Sequence, residues 1–400
     1  MSRVSFKKEN EVYNMLVKYK LCELGDILTG NTPSKKNGEF YDTKDIMFIK
    51  PDDINNNITE IECSKEYISN KAEKKARIIP KDSLLITCIG SIGKIAINKE
   101  KSAFNQQINS IVHNEKIICS KYLAYVLMIN KQRLESISNA PVVPIINKTQ
   151  FSEFEVYIHE EKEIQEKIVN VLDKARSLID KRKAQIEVLD ELVKSRFIDM
   201  FADLKGEKHL TLGECTNFID YRGKTPVLSD SGIRIINAKS VGNGFFKYID
   251  EYISEETFNS WMKRGFPVPG DVLFVTEGHT FGNICRIPSD LQKFAMGQRI
   301  ITIQGNKEIL NNAFLAQYMQ TISFQIDIDK YKTGSSAQGI RSKELKKILI
   351  PIPQIELQNQ FTDFVNQVDK LKFEMEKSLK ELEDNFNSLM QRAFKGELFN

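Results

Sequence analysis

From about Glu161 to Phe201, apolar side chains recur every three or four residues. The series is Ile164, Ile168, Val171, Leu172, Ala175, Leu178, Ile179, Ile186, Leu189, Leu192, Val193 and Phe197. Charged and amide residues fill the gaps, and neither Pro nor Gly interrupts the run. The pattern predicts a helix with one apolar stripe, near the seven-residue spacing of a coiled coil. Roughly 40 residues at 1.5 Å per residue would make a rod about 60 Å long. A stripe of that length needs a long partner. Leu357, Phe361, Phe364, Val368, Leu371, Met375, Leu379, Leu382, Phe386, Leu389 and Phe394 supply one, continuing the same spacing after about Gln354.

Between and before these helices the pattern is mixed. Short β-type runs occur at Ile46 to Ile49, Leu84 to Cys88, Ile92 to Ile97 and Ser110 to His113, with turn-rich stretches between them and a helical piece from Lys121 to Ile137. The expected fold is mixed α/β (α+β). Residues 1–20 read as an N-terminal arm or short helix, 21–160 as a globule, 161–203 as a long helix, 204–353 as a second globule and 354–400 as a second long helix.

The two halves repeat each other with a shift of about 190 residues. Leu24-Gly25 is answered by Leu212-Gly213, Thr32-Pro33 by Thr225-Pro226, and Tyr67-Ile68-Ser69 by Tyr252-Ile253-Ser254. Ile79-Pro80-Lys81-Asp82-Ser83-Leu84 is answered by Val268-Pro269-Gly270-Asp271-Val272-Leu273, Leu123-Ala124 by Leu315-Ala316, and Ile164-Gln165 by Leu357-Gln358. The shared positions are mostly Gly, Pro and apolar residues, which determine a fold. The loops between them differ, as expected of one scaffold carrying two related but distinct binding surfaces. Antiparallel pairing of the two long helices, with a pseudo-two-fold, would separate the globules.

Composition narrows the class only slightly. No stretch approaches 18 uninterrupted apolar residues, and the first 20 residues lack the apolar run of a signal peptide. Six cysteines are scattered without a CxxC pair, which points to reduced thiols and a cytoplasmic protein. Net charge is only +3, so a nucleic-acid surface would need its cations gathered on one face.

A search for catalytic patterns returns none. Gly-Ser-Ile-Gly-Lys at 90–94 fails the phosphate-loop pattern at Cys88 and Ile95 and reads as a turn between strands. The four histidines (His113, His159, His209 and His279) are far apart and read as surface or capping side chains. No GxSxG elbow is present, and Asn139-Ala140-Pro141-Val142 lacks the second proline and the aromatic of an amino-methyltransferase tetrad.

Cationic and polar loops are the stronger candidates. Lys35 and Lys36 follow Thr32-Pro33, and Arg222 and Lys224 flank the equivalent Thr225-Pro226. Lys and Arg supply phosphate affinity, and Arg can donate two bonds to guanine. Lys332, Ser335, Ser336 and Gln338 lie in a second polar stretch, and Lys50, Lys239 and Arg299 complete the candidate DNA contacts.

The ordered set of local patterns resembles the specificity subunit of Type I restriction–modification systems. It comprises Ile79 to Leu85 and Val268 to Phe274 before Gly-containing turns, Gly334-Ser335-Ser336-Ala337-Gln338 leading to Ile340, and Ile350-Pro351-Ile352-Pro353 leading into the second helix. The first repeat departs from it, with Asn139 to Pro144 in place of the Gly-Ser-Ser-Ala-Gln loop and His159 in place of Pro353. The resemblance implies two target-recognition domains, each reading one half of a bipartite sequence in double-stranded DNA. It implies an antiparallel coiled coil that docks two methyltransferase subunits, joined by two restriction/translocase subunits. The chain itself would be non-catalytic and hold no cofactor; S-adenosylmethionine, ATP and Mg²⁺ would belong to the partners. A coiled-coil adaptor without DNA specificity and a self-contained DNA-modifying enzyme remain the alternatives.

Overall fold

The computed structural model of the chain describes residues 16–138, 143–204, 206–223, 225–334 and 338–399. These residues form two compact units. The first takes the described residues up to Lys183 together with those from Ser378 onward, and the second takes Ala184–Lys377. Each long helix, Lys162–Met200 and Ile355–Ala393, is therefore divided between the units.

The first unit contains β1 (Val17–Lys20), β2 (Gly25–Thr29), β3 (Ile46–Ile49), β4 (Thr59–Ile61), β5 (Tyr67–Ile68), β6 (Ile78–Ile79), β7 (Leu84–Thr87), β8 (Ile95–Asn98), β9 (Ser102–Phe104), β10 (Ile108–His113) and β11 (Glu155–Ile158). One sheet has the order β2-β10-β7-β8-β4 and a second β5-β3-β9-β6. The second unit contains β12 (Lys208–Thr211), β13 (Thr216–Asp220), β14 (Ile233–Ile236), β15 (Tyr252–Ile253), β16 (Val272–Val275), β17 (Ile284–Arg286), β18 (Phe294–Met296), β19 (Ile300–Gly305) and β20 (Leu349–Ile352). Its sheets are β13-β19-β16-β17 and β15-β14-β18. Among the described residues, nine strands of the first unit have counterparts in the second, while β4 and β6 have none; the shared frame includes a parallel pair, in which Phe48 faces Ala103 and Ile235 faces Ala295. Runs of four buried residues, as in β3, β7 and β16, reflect strands covered on both faces.

Two expectations need correction at the start of the chain and in the repeat. Of the expected N-terminal arm or short helix, residues 1–15 lie outside the described residues, but Val17–Lys20 is a strand. It pairs antiparallel with β11, and Lys18 meets Glu155 at 2.7 Å. Pairing with the edge of β11 satisfies the backbone groups of these four residues, which favours the strand. In the repeat, the Pro80–Pro269 match is one residue out of register. Asp82 N–H donates to Asn98 O and Gly270 N–H to Ile287 O, so Asp82 is equivalent to Gly270, and both have left-handed φ, 60° and 88°.

Within each unit the helix segments run antiparallel. In the first, Lys183 Nζ lies 2.7 Å from Glu383 Oε1, and the Arg176 guanidinium sits 5.9 Å from the Phe386 ring centre. In the second, Lys372 Nζ contacts both Asp190 oxygens at 2.7 and 2.8 Å, and the Phe197 and Phe361 rings are 5.5 Å apart. The first core joins Ile168, Leu172 and Ile179 to Phe386, Met390 and Ala393, and the second joins Phe197 and Phe201 to Phe314, Phe361 and Val365. Not all of the predicted stripe is covered: Leu178 is 53% and Leu192 45% exposed. A straight helix drifts by about 20° per heptad against a seven-residue pattern, so flanking positions rotate away from the contact.

One buried polar residue anchors each helix to its globule, and it is the same residue twice. Gln165 Oε1 accepts from Cys119 N–H at 3.2 Å, and its Nε2 donates to Ile117 O at 2.9 Å and His159 O at 2.7 Å. Gln358 Oε1 accepts from Asn311 N–H at 2.9 Å, and its Nε2 donates to Ile309 O at 3.0 Å and Pro353 O at 2.8 Å. Both glutamines are fully buried. His159, expected at the surface or a cap, is buried as well; its Nδ1 lies 2.7 Å from Tyr122 Oη, and burial lowers its pKa below the ordinary 6.5. The equivalent pair in the second unit, Phe314 and Pro353, is apolar.

Candidate nucleic-acid interface

In the second unit, Arg222, Arg299 and Arg341 meet around an open depression of about 510 Å³, together with His279 and Gly334. Three backbone features create it. β13 ends at Asp220, delivering Arg222 two residues later. Thr276 N–H donates to Arg299 O at 2.9 Å, which seats the β18–β19 turn beside β16. Ile340 N–H donates to Thr276 O at 2.9 Å and brings in Arg341.

The arginines differ in freedom. Arg222 donates from Nε to Asp220 Oδ1 at 2.9 Å and from Nη2 to Asp220 Oδ2 at 2.6 Å, and Nη2 also contacts Ser342 Oγ. Burial alone would raise the Asp220 carboxyl, but the bonds from Arg222 and Ser342 outweigh it and hold the pKa at about 2. Arg264 braces the same turn, donating to Asp220 O at 3.1 Å and Arg222 O at 3.2 Å. Arg222 is thus a fixed, partly compensated cation. Arg299 is 61% exposed on its side chain, with Nε 3.5 Å from Glu277 Oε1, and its φ of 64° is left-handed. Arg341 is exposed.

The other candidates in this unit lie in different settings. Lys239 is held by Glu251, and Lys332 by Asp329 at 2.9 Å. The Gln338 side chain is exposed, while its main-chain oxygen accepts from Gly278 N–H at 3.1 Å. Lys224, Ser335 and Ser336 lie outside the described residues.

In the first unit, Lys35 and Lys36 stand exposed on a turn that the Tyr41 hydroxyl steadies by donating to Pro33 O at 2.7 Å. Lys50 is drawn inward: its ammonium contacts Glu66 and lies 5.7 Å from the Phe48 ring centre. Its hydrogen bond is the first cause of a lowered Glu66 pKa. A separate depression of about 740 Å³ is lined by Lys71, Lys74 and Arg77, on and just after the 3₁₀ helix Asn70–Lys75. Sequence reasoning missed this group, as it missed Arg341 and His279. The run Lys71 to Arg77 reads as an ordinary solvated charge run; the fold sets Lys71, Lys74 and Arg77 along one depression with Glu73 among them, and Lys71 lies 3.7 Å from Glu39 and 3.6 Å from Asp42. Asn31, Gln107 and Asn147 occupy the positions equivalent to Arg222, Arg299 and Arg341.

Comparison with known proteins agrees with this duplicated architecture. The family described as the Type I restriction modification DNA specificity domain matches residues 15–189 and again 216–384. The Type I restriction enzyme HindI specificity subunit of Haemophilus influenzae is 32% identical over 181 residues, 43% of this chain and 39% of that one. The MjaIX specificity subunit of Methanocaldococcus jannaschii is 30% identical over 195 residues, 48% of this chain and 44% of that one. These alignments thus span less than half of each relative. The MjaVIII specificity subunit of the same organism is 22% identical, covering 82% of both chains. Among solved structures, the S subunit of a Type-I restriction-modification system from M. genitalium superposes with a TM-score of 0.58 at 16% identity, over 95% of this chain and 96% of that one. With its two repeats matched in turn, the chain belongs to the Type I restriction modification DNA specificity domain family.

Proposed function

We propose that the chain is the DNA-reading subunit of a Type I restriction–modification complex, with one unit for each half of an asymmetric, bipartite target. The observation that carries this reading is the duplicated sheet frame with unlike cationic surfaces: an arginine-lined depression in the second unit, and in the first a depression lined by Lys71, Lys74 and Arg77 together with an exposed Lys35–Lys36 turn. A shared frame with different surface groups is what two related but distinct sequences require. Phosphate contacts by Lys35, Lys36, Lys71 and Lys74 supply affinity, and base-edge contacts come from the second depression.

The helices serve the assembly. Val188 is 63% and Ile198 64% exposed on the first long helix, apolar surface suited to a protein partner. Two methyltransferase subunits dock there and two restriction/translocase subunits complete the complex. Those partners hold S-adenosylmethionine, ATP and Mg²⁺, and this chain contributes no catalytic group. No helix among the described residues is long and apolar enough to cross a membrane.

Methylome sequencing of the source cell with and without this gene tests the reading. The expected result is loss of one bipartite, asymmetric methylation motif when the gene is removed. An unchanged methylome, or methyl transfer by the purified chain alone, overturns it.

A further inference from the structure

Among the described residues, two that are not glycine have left-handed φ, Asp82 and Arg299. Asp82 has a simple explanation. It stands where the second unit has Gly270, also left-handed, so the turn before β7 and β16 requires that conformation in both units.

Arg299 has no such explanation. Its counterpart is identified by one hydrogen bond in each unit: Cys88 N–H donates to Gln107 O at 2.8 Å where Thr276 N–H donates to Arg299 O. Gln107 is not among the residues with positive φ. The fold therefore forms this turn without a left-handed residue, and the second unit adopts one only where it carries Arg. A left-handed non-glycine costs on the order of 1 kcal/mol or more, and such outliers cluster where they aim a side chain at a ligand.

The side-chain geometry fits a particular ligand group. Glu277 lies 3.5 Å from Nε and steadies that edge of the guanidinium. The side chain is mostly exposed and lines the depression with Arg222 and Arg341. Arg222 cannot take the same role, because Asp220 already occupies its Nε and Nη2. Gln107 points to the converse: its Oε1 accepts from Asn105 Nδ2 at 2.8 Å, a bond inside its own turn.

We propose that Arg299 is the specificity-determining side chain of the second unit, reading a guanine of its half-site by donating to O6 and N7. This assignment rests on the DNA-reading function proposed above. A planar guanidinium with a free edge matches those two acceptors, and no other base presents the pair in the major groove.

The test is selection of preferred sites from a randomised duplex library by the full chain, expressed in its own host so that partner subunits accompany it. Wild type is compared with Arg299→Gln and with Arg299→Gly, which keeps the left-handed backbone. Wild type should enrich a motif with a guanine in one half-site. Both variants should lose discrimination at that base by on the order of 10-fold or more, leaving the other half-site unchanged. An unchanged motif in both variants overturns the assignment. Uniform weakening across all sequences also overturns it, since that marks a phosphate contact. A wild-type chain that enriches no motif overturns the DNA-reading function itself, an outcome distinct from either.

Discussion

The two units share a frame and diverge in what they place on it. The first unit gathers lysines: Lys71 and Lys74 line its depression with Arg77, and Lys35 and Lys36 stand on an exposed turn. The second unit gathers arginines at positions where the first has amides. Lysine is a mobile point charge and suits phosphate, while arginine carries a planar fork that suits base edges. The difference extends into the core, where the Tyr122–His159 pair of the first unit becomes Phe314 and Pro353 in the second. The frame tolerates these exchanges because its shared requirements are few: matched ladders, one parallel strand pair, and a buried glutamine under each helix.

That shared glutamine offers the strongest challenge to the comparison. Gln165→Leu and Gln358→Leu each strand two buried carbonyls and a buried N–H, and each should cost about 3 kcal/mol or more. Trp261 is the single tryptophan and lies in the second unit, its indole N–H donating to Met296 O at 2.7 Å. Urea unfolding followed by its fluorescence should therefore shift for Gln358→Leu, while Gln165→Leu should leave the Trp261 transition in place and shift only part of the far-ultraviolet transition of the whole chain. Equal shifts of the Trp261 transition in both variants would show that the units unfold as one.

A smaller effect sharpens the lysine–arginine contrast. Changing Lys71, Lys74 and Arg77 together to Ala should flatten the dependence of log affinity on log salt by roughly 0.9 for each phosphate no longer neutralised. The sequence motif should stay the same. A changed base preference in one half-site would place base reading in the first unit's depression as well, removing the contrast with Arg299.

The gentlest probe is pH. Burial lowers the pKa of both His113 and His159 below 6.5, and both belong to the first unit. Below 6.5 the unfolded chain binds protons that the folded unit resists. Stability of the first unit is therefore level above that pH and falls as pH drops toward the lowered folded values. For the buried His159 the slope is at most about 1.4 kcal/mol per pH unit. Denaturation midpoints between pH 7 and 5 should fall more for the first unit than for the second, and His159→Gln should reduce the fall. Parallel behaviour of both units would show that carboxylates, not these histidines, set the acid limit.

Much of the fold was legible because it is written locally. The strand at Ile46–Ile49 was expected with the same limits, and the helix series was visible because its spacing repeats over about ten turns. The candidate contacts were only partly legible. Arg222 could be suspected from its neighbours, but its pairing with Asp220 depends on a bend two residues away, and Ser342 approaches it from 120 residues further along. Lys50 and Lys239 look like free cations in the sequence, yet Glu66 and Glu251 hold them. Leu178 reads as core and is exposed, because a stripe specifies which face is apolar and not how much of it a partner will cover.

The amino-acid order by itself determined the duplication, the two long amphipathic helices and the absence of recognised catalytic patterns, since these rest on periodicity and residue type. Tertiary structure alone decided which cations remain available, which histidines are buried, and that Arg299 meets Arg222 and Arg341. The physical reason is range. Hydrophobic spacing acts over a few residues, whereas ion pairing, desolvation and the shape of a binding surface depend on which distant segments the folded sheets bring within a few ångströms.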